Sequence, residues 1–193
     1  MNSRLSLLLG AAGLVLALGA CAKTNDSMGG KTAASVEVGG APMYADKDIV
    51  DNAVNSADHT TLVAAVQAAG LVETLKSPGP FTVFAPTNAA FDALPPGTVE
   101  TLLKPENKDT LTAVLTYHVV AGRLDAKALQ AAVAQGGGKA MVTTVQGESL
   151  TVMANGPMNL LLVDAKGNQA NISTYDVLQS NGVIHVIDTV LLP

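Results

Sequence analysis

Sulfur, aromatic mass and basic charge are all scarce in this chain. One cysteine, Cys21, among 193 residues excludes an intrachain disulfide and a cysteine-based metal site. Tryptophan is absent and aromatics make up only 3%, so a core has to be aliphatic, drawn from the Val, Leu, Ile and Ala that dominate the 48% of hydrophobic residues. Charged residues amount to 14%, the formal net charge is −5, and no basic run occurs. Affinity for nucleic acid rests on Lys and Arg neutralising phosphates, so nucleic-acid binding is not expected. Histidines number three: His59, His118 and His185. Neither a Gly-x-Ser-x-Gly elbow nor a His-Glu-x-x-His motif is present, which removes the usual signatures of a Ser–His–acid hydrolase and a zinc protease. The chain is therefore read as a non-enzyme that needs no cofactor and no metal.

The amino-terminal segment does carry a signal. Met1 to Arg4 supply a positive start, and Leu5 to Leu18 are uncharged and mostly apolar. That run is shorter than the roughly 20 residues that span a bilayer, and fits the hydrophobic region of a signal peptide. Leu18-Gly19-Ala20-Cys21 resembles the bacterial lipobox, whose cysteine is acylated on its thiol and, after cleavage, on its new amino terminus. The resemblance implies a leader at 1–20, lipidation with palmitate-type chains at Cys21, and attachment to a membrane through that lipid. Several acyl chains on one residue anchor more stably than one. Ala22 in place of Asp after the cysteine resembles an outer-membrane address, so the expected location is the cell envelope, facing the periplasm or the surface.

Residues 21–44 read as a lipidated cysteine and flexible tether, with Gly29-Gly30, Gly39-Gly40 and Pro42 and no hydrophobic period. Within it only Ser35 to Val38 could form an extra strand, and Pro42-Met43-Tyr44 could dock the tether's end on the domain. From residue 45 the pattern becomes helical: Ile49, Val50, Ala53 and Val54, then Leu62, Val66, Ala69 and Leu75, with Asp58 as an expected cap and Gly70 as a break. Phe81 to Ala85 read as a strand, and further helices are expected up to Leu94, over 98–103, 107–117 and 125–133. Strands are expected over 140–145, 148–154, 160–163, 170–175, 183–187 and 189–192, with Asn181-Gly182 as a tight turn in which both residues take positive φ. Helices first and strands later give an α+β domain, with one early strand joining the late ones.

Three blocks carry a family resemblance. Gly79 to Asn88, followed by Ala90-Phe91, resembles the opening signature of fasciclin domains; Leu115-Thr116-Tyr117-His118-Val119-Val120 resembles the central Tyr-His block; and Asn181 to Asp188 with Val190 to Pro193 resembles the closing block. They fall in the family's order and cover residues 45–193. The resemblance implies a fasciclin-like, wedge-shaped β-sandwich with helices packed over one side. It also implies a binding or adhesion module that contacts a surface or matrix protein or a carbohydrate, in cell adhesion or host association. The alternative is a periplasmic small-ligand or stress-related binding protein with a pocket between helices and sheet.

The resemblance also marks candidate contact residues. Tyr117 and His118 lie in a segment implicated in receptor contact in animal relatives, and Asp176-Val177 occupies the place of an Asp-Ile contact motif. Against these stands the structural alternative, in which Tyr117 belongs to the core and His118 and His185 are buried and hydrogen-bonded. A metal site made by His118 and His185 together is the competing chemical reading.

Overall fold

The computed structural model describes residues 35–157 and 159–193. Ser35–Val38 (β1) and Ala41–Tyr44 (β2) pair antiparallel around Gly39 and Gly40, whose φ values of 60° and 72° suit glycine. This hairpin is packed, not free: Val38 and Met43 are buried in the same core as the succeeding helices. Asn52, fully buried, accepts from the Tyr44 N–H at 2.9 Å, donates to the Tyr44 carbonyl at 2.7 Å, and also donates to Gln179 Oε1. The expected tether through residue 44 is thus corrected from Ser35 onward. Two apolar side chains and a bonded asparagine hold a segment whose composition alone looks loose.

Helices then accumulate. Ile49–Ala53 (α1) is capped by Asp48, which accepts from the Asp51 N–H. Thr60–Ala69 (α2) ends at Gly70 in the left-handed conformation, and Val72–Lys76 (α3) comes next. Asp58 does not cap α2; the N–H of Thr61 is accepted instead by Asn88 Oδ1 at 3.0 Å, so the cap comes from a later helix. Phe81–Pro86 (β3) leads into Asn88–Asp92 (α4), capped by Thr87, then Thr98–Leu102 (α5) and Lys108–Tyr117 (α6). Val119–Ala121 (β4) returns along β3, and Ala126–Gln135 (α7), capped by Asp125, precedes the strand-rich remainder. That remainder comprises Lys139–Thr143 (β5), Ser149–Ala154 (β6), Leu160–Val163 (β7), Gln169–Gln179 (β8) and Gly182–Ile187 (β9).

These strands form one sheet in the order β4-β3-β9-β8-β7-β6-β5, antiparallel except where β3 lies parallel to β9. The early strand therefore does join the late ones, beside β9. Register shifts between Ile172 and Val177 break the β8–β9 ladder, and a bridge from Val120 to Thr144 links the two ends of the sheet. Alternation along β3 and β9 separates two cores. Val83, Ala85, Ile184 and Val186 face the layer of helices α1 to α6, whereas Phe84 and Ile187 face inward with Leu150, Val152, Leu162 and Leu129 of α7. The result is an α+β sandwich.

Two local expectations fail for identifiable reasons. Residues 189–192 form no strand, because the N–H groups of Leu191 and Leu192 bond His118 Nε2 and Asp164 Oδ2 instead of a ladder. At 181–182 neither residue takes positive φ. Gly182 is required because a Cβ there would strike the Phe81 carbonyl oxygen. The Asn181 carboxamide accepts from Ile49 N–H at 3.1 Å and donates to the carbonyls of Leu75 and Ser77.

Candidate functional site

His118 ends α6 and is almost fully buried. Its Nε2 accepts from Leu191 N–H at 3.0 Å, so the proton sits on Nδ1, which donates to the Val114 carbonyl at 2.8 Å. Burial pushes its pKa down to about 4, although the Val114 bond and the Asp164 charge favour the proton. His185, in β9, holds the opposite tautomer. Its Nδ1 accepts from Asp176 N–H at 3.3 Å, and its Nε2 donates to the Leu124 carbonyl at 2.8 Å. The ring stacks on Phe84 with centroids 5.7 Å apart and meets the edge of Tyr175 at 6.0 Å. Desolvation lowers its pKa as well.

All four ring nitrogens of these two histidines are committed to backbone groups. Among the described residues no cluster of three His, Cys, Asp or Glu side chains could hold a metal ion. His118 and His185 serve as hydrogen-bonding ties: one joins α6 to the carboxy-terminal segment, the other joins β9 to β8 and to the loop before α7.

The remaining candidate contacts separate sharply. Tyr117 is fully buried; its hydroxyl donates to the Ser149 carbonyl and accepts from Ala165 N–H. Val177 is also fully buried and belongs to the helix-side core. A partner at the surface therefore does not touch Tyr117, His118 or Val177, and the contact reading of these three is corrected. In each case the apolar environment that made the residue conspicuous is the core itself. Asp176 alone keeps part of its surface. It lies in the shifted stretch of β8 with φ 55°, the only positive φ on a non-glycine residue among those described. Its Oδ1 accepts from Ala126 N–H at 2.7 Å, the first helical residue of α7. Cys21 lies outside the described residues.

Two further features stand out, and only the first was not anticipated from the sequence. The first is the segment 122–126, fastened across β3, β9 and β8. Thr82 Oγ1 donates to the Gly122 carbonyl at 2.7 Å and accepts from Leu124 N–H at 2.8 Å, while the Arg123 guanidinium donates to the carbonyls of Gln179 and Gly182 at 3.3 Å. Arg123 makes no ion pair with a described residue and faces a polar concavity of about 520 Å³ shared with Lys76, Asp48 and Asn181. Only the side-chain hydroxyl of Thr82, fully buried in β3, could have hinted at it. The second is a narrow apolar slot of about 60 Å³ between the helices and β3, walled by Ile49, Leu62, Val66, Leu75, Val83 and Leu115 among others, with no charged side chain in its lining.

A further polar node, Asp164, accepts from the N–H groups of Lys166, Asn168 and Leu192 and from the Asn168 amide. Burial would raise its pKa, but these bonds outweigh burial and hold the carboxyl below the usual range.

Similarity to known proteins agrees with this geometry. The chain belongs to the fasciclin-domain family, whose Fasciclin domain model matches residues 57–193. It is 50% identical over 145 residues to Protein sll1483 of Synechocystis sp., covering 75% of this chain and 73% of that protein. Cell surface glycolipoprotein MPB83 of Mycobacterium bovis is 40% identical over 123 residues, 64% of this chain and 48% of that protein. Among solved structures, the FAS1 domain pair from the insect cell adhesion molecule fasciclin I superposes with a TM-score of 0.67 at 18% identity, over 76% of this chain and 51% of that one. At that identity what is shared is the fold.

Proposed function

We propose that this chain is a binding module of the cell envelope, anchored by lipid at Cys21 and engaging a surface or matrix protein or a carbohydrate through the polar surface around Arg123 and Asp176. The observation that carries it is the pairing of a left-handed aspartate with a firmly fastened loop. A non-glycine residue held at φ 55° costs energy that the surrounding hydrogen bonds must offset, and such residues cluster where a surface is used. Three residues before Ala126, which Asp176 holds, stands a guanidinium held by two carbonyls, with no carboxylate partner among the described residues and donors left to give. A site pre-organised in this way loses little entropy on binding. Family membership supports display outside the cell, since one relative is named a cell surface glycolipoprotein and the structural neighbour a cell adhesion molecule. No helix among the described residues is long and apolar enough to cross a membrane; the proposed anchor rests on the lipobox resemblance of Leu18-Gly19-Ala20-Cys21.

The test is capture from surface-labelled cells and matrix extracts by the immobilised full chain. Asp176→Ala and Arg123→Ala should each weaken capture of the same partner at least tenfold while melting within a few degrees of the unaltered protein. Undiminished capture by both variants would place the contact elsewhere.

A further inference from the structure

The apolar slot lies away from Arg123 and Asp176, neither of which lines it. Its walls come from α1, α2, α3, α6, β3 and the start of β4, and they are hydrocarbon almost throughout. His118 borders it, but both ring nitrogens are already bonded, so that ring offers a ligand no free polar atom. The exposed lining residues Gln67, Thr74 and Val145 mark where the slot meets solvent.

Size and lining restrict the occupant. A volume of about 60 Å³ holds roughly four to six water-sized groups. A space of that size with apolar walls takes a short aliphatic group. Water gains nothing there, because a water needs two or more polar partners and the walls supply almost none. The absence of charge in the lining excludes an ionic head inside the slot, whereas Gln67 and Thr74 at the rim can hydrogen-bond one outside it.

We infer that the slot between the helices and β3 binds the short aliphatic end, about four to six carbons, of an amphiphile whose polar head stays at the Gln67–Thr74 rim. The inference is independent of partner binding at Arg123 and Asp176, so either can fail without the other.

Straight-chain alcohols from butanol to decanol test it, titrated into the full chain with methyl resonances as the readout. Each buried methylene strengthens binding roughly fourfold, so affinity should climb by that factor per carbon and flatten beyond about six. The responding methyls should be those of Val66, Val83 and Leu115. Val63→Phe, at a half-exposed wall position, and Val145→Phe, at an exposed one, should each obstruct the slot and weaken hexanol binding at least tenfold in protein that still melts cooperatively. Either variant suffices if the other fails to fold. Affinity independent of chain length, or unchanged hexanol binding in the folded variants, would overturn the inference, and Arg123→Ala should bind hexanol as the unaltered protein does.

Discussion

Acid should loosen this fold through His118 before any carboxylate is involved. The folded pKa is about 4, against 6.5 for the group in an unfolded chain, so between these values the unfolded state binds a proton that the folded state refuses. Stability must then rise with pH across this window and fall as pH drops through it. From pH 8 to pH 5 the loss from His118 alone is about 2 kcal/mol, approaching about 3 kcal/mol below pH 4. His185 and His59 are shifted in the same direction and add to the loss. Asp164 and Asp188 lie below the usual carboxylate value of 3.8, so what they contribute is lost only at more acidic pH and does not disturb the window. Urea unfolding at fixed ionic strength from pH 8 to pH 5, repeated on His118→Asn, isolates the contribution of this ring. The variant should be less stable at pH 8 by about 1–3 kcal/mol, because the Val114 carbonyl and Leu191 N–H lose their partner, yet its decline toward pH 5 should be smaller by about 2 kcal/mol. Equal pH slopes in both proteins, or a wild type whose stability is flat to pH 5, would refute the reasoning that the ring is buried and neutral.

Met43→Ala should cost about 2–5 kcal/mol by urea unfolding, because the side chain is only 2% exposed; a cost under about 0.5 kcal/mol would return the hairpin to the tether. Zinc or copper should leave the melting temperature unchanged, since linkage raises it only when the folded state binds the ion; a rise lost on His118→Ala would reverse the assignment. Mass spectrometry of the mature chain should find lipid on Cys21, and Cys21→Ser protein should remain unprocessed or leave the membrane fraction; a free Cys21 thiol in membrane-extracted protein would refute the anchor.

Most of the architecture was legible because periodicity and local chemistry agreed. The 3.6-residue spacing in α2 and α6, the alternation in β3 and β9 and the capping residues Thr87 and Asp125 each state their own conformation. What escaped depends on distant partners. The hairpin at 35–44 is ordered by Asn52 and Gln179, whose bonds cross up to 127 residues of sequence. Asn88 caps a helix 27 residues before it, and Arg123 is positioned by carbonyls 56 and 59 residues away. The contact residues misled for a related reason. Tyr117, His118 and Val177 stand in apolar surroundings, and one sequence cannot say whether an apolar neighbourhood is a core or an exposed patch.

The two proposed sites are kept apart by the alternation of one strand pair. In β3 and β9, Val83 and Ile184 point to the helices, and Val83 walls the slot; Phe84 and His185 point the other way, and His185 holds Leu124 and Asp176 in place. Residues adjacent in sequence therefore support surfaces on opposite faces of the sheet, with the close-packed strand pair between them. Phe84 borders the slot and also stacks on His185, so any coupling runs through that ring; apart from such contacts, distant sites respond additively. An alkyl chain in the slot should then leave partner affinity unchanged unless it shifts β3 itself, and the parallel pairing of β3 with β9 from Phe81 to Pro86 resists that shift. A change in partner capture on adding hexanol would mean that the strand pair moves as a unit and carries the coupling.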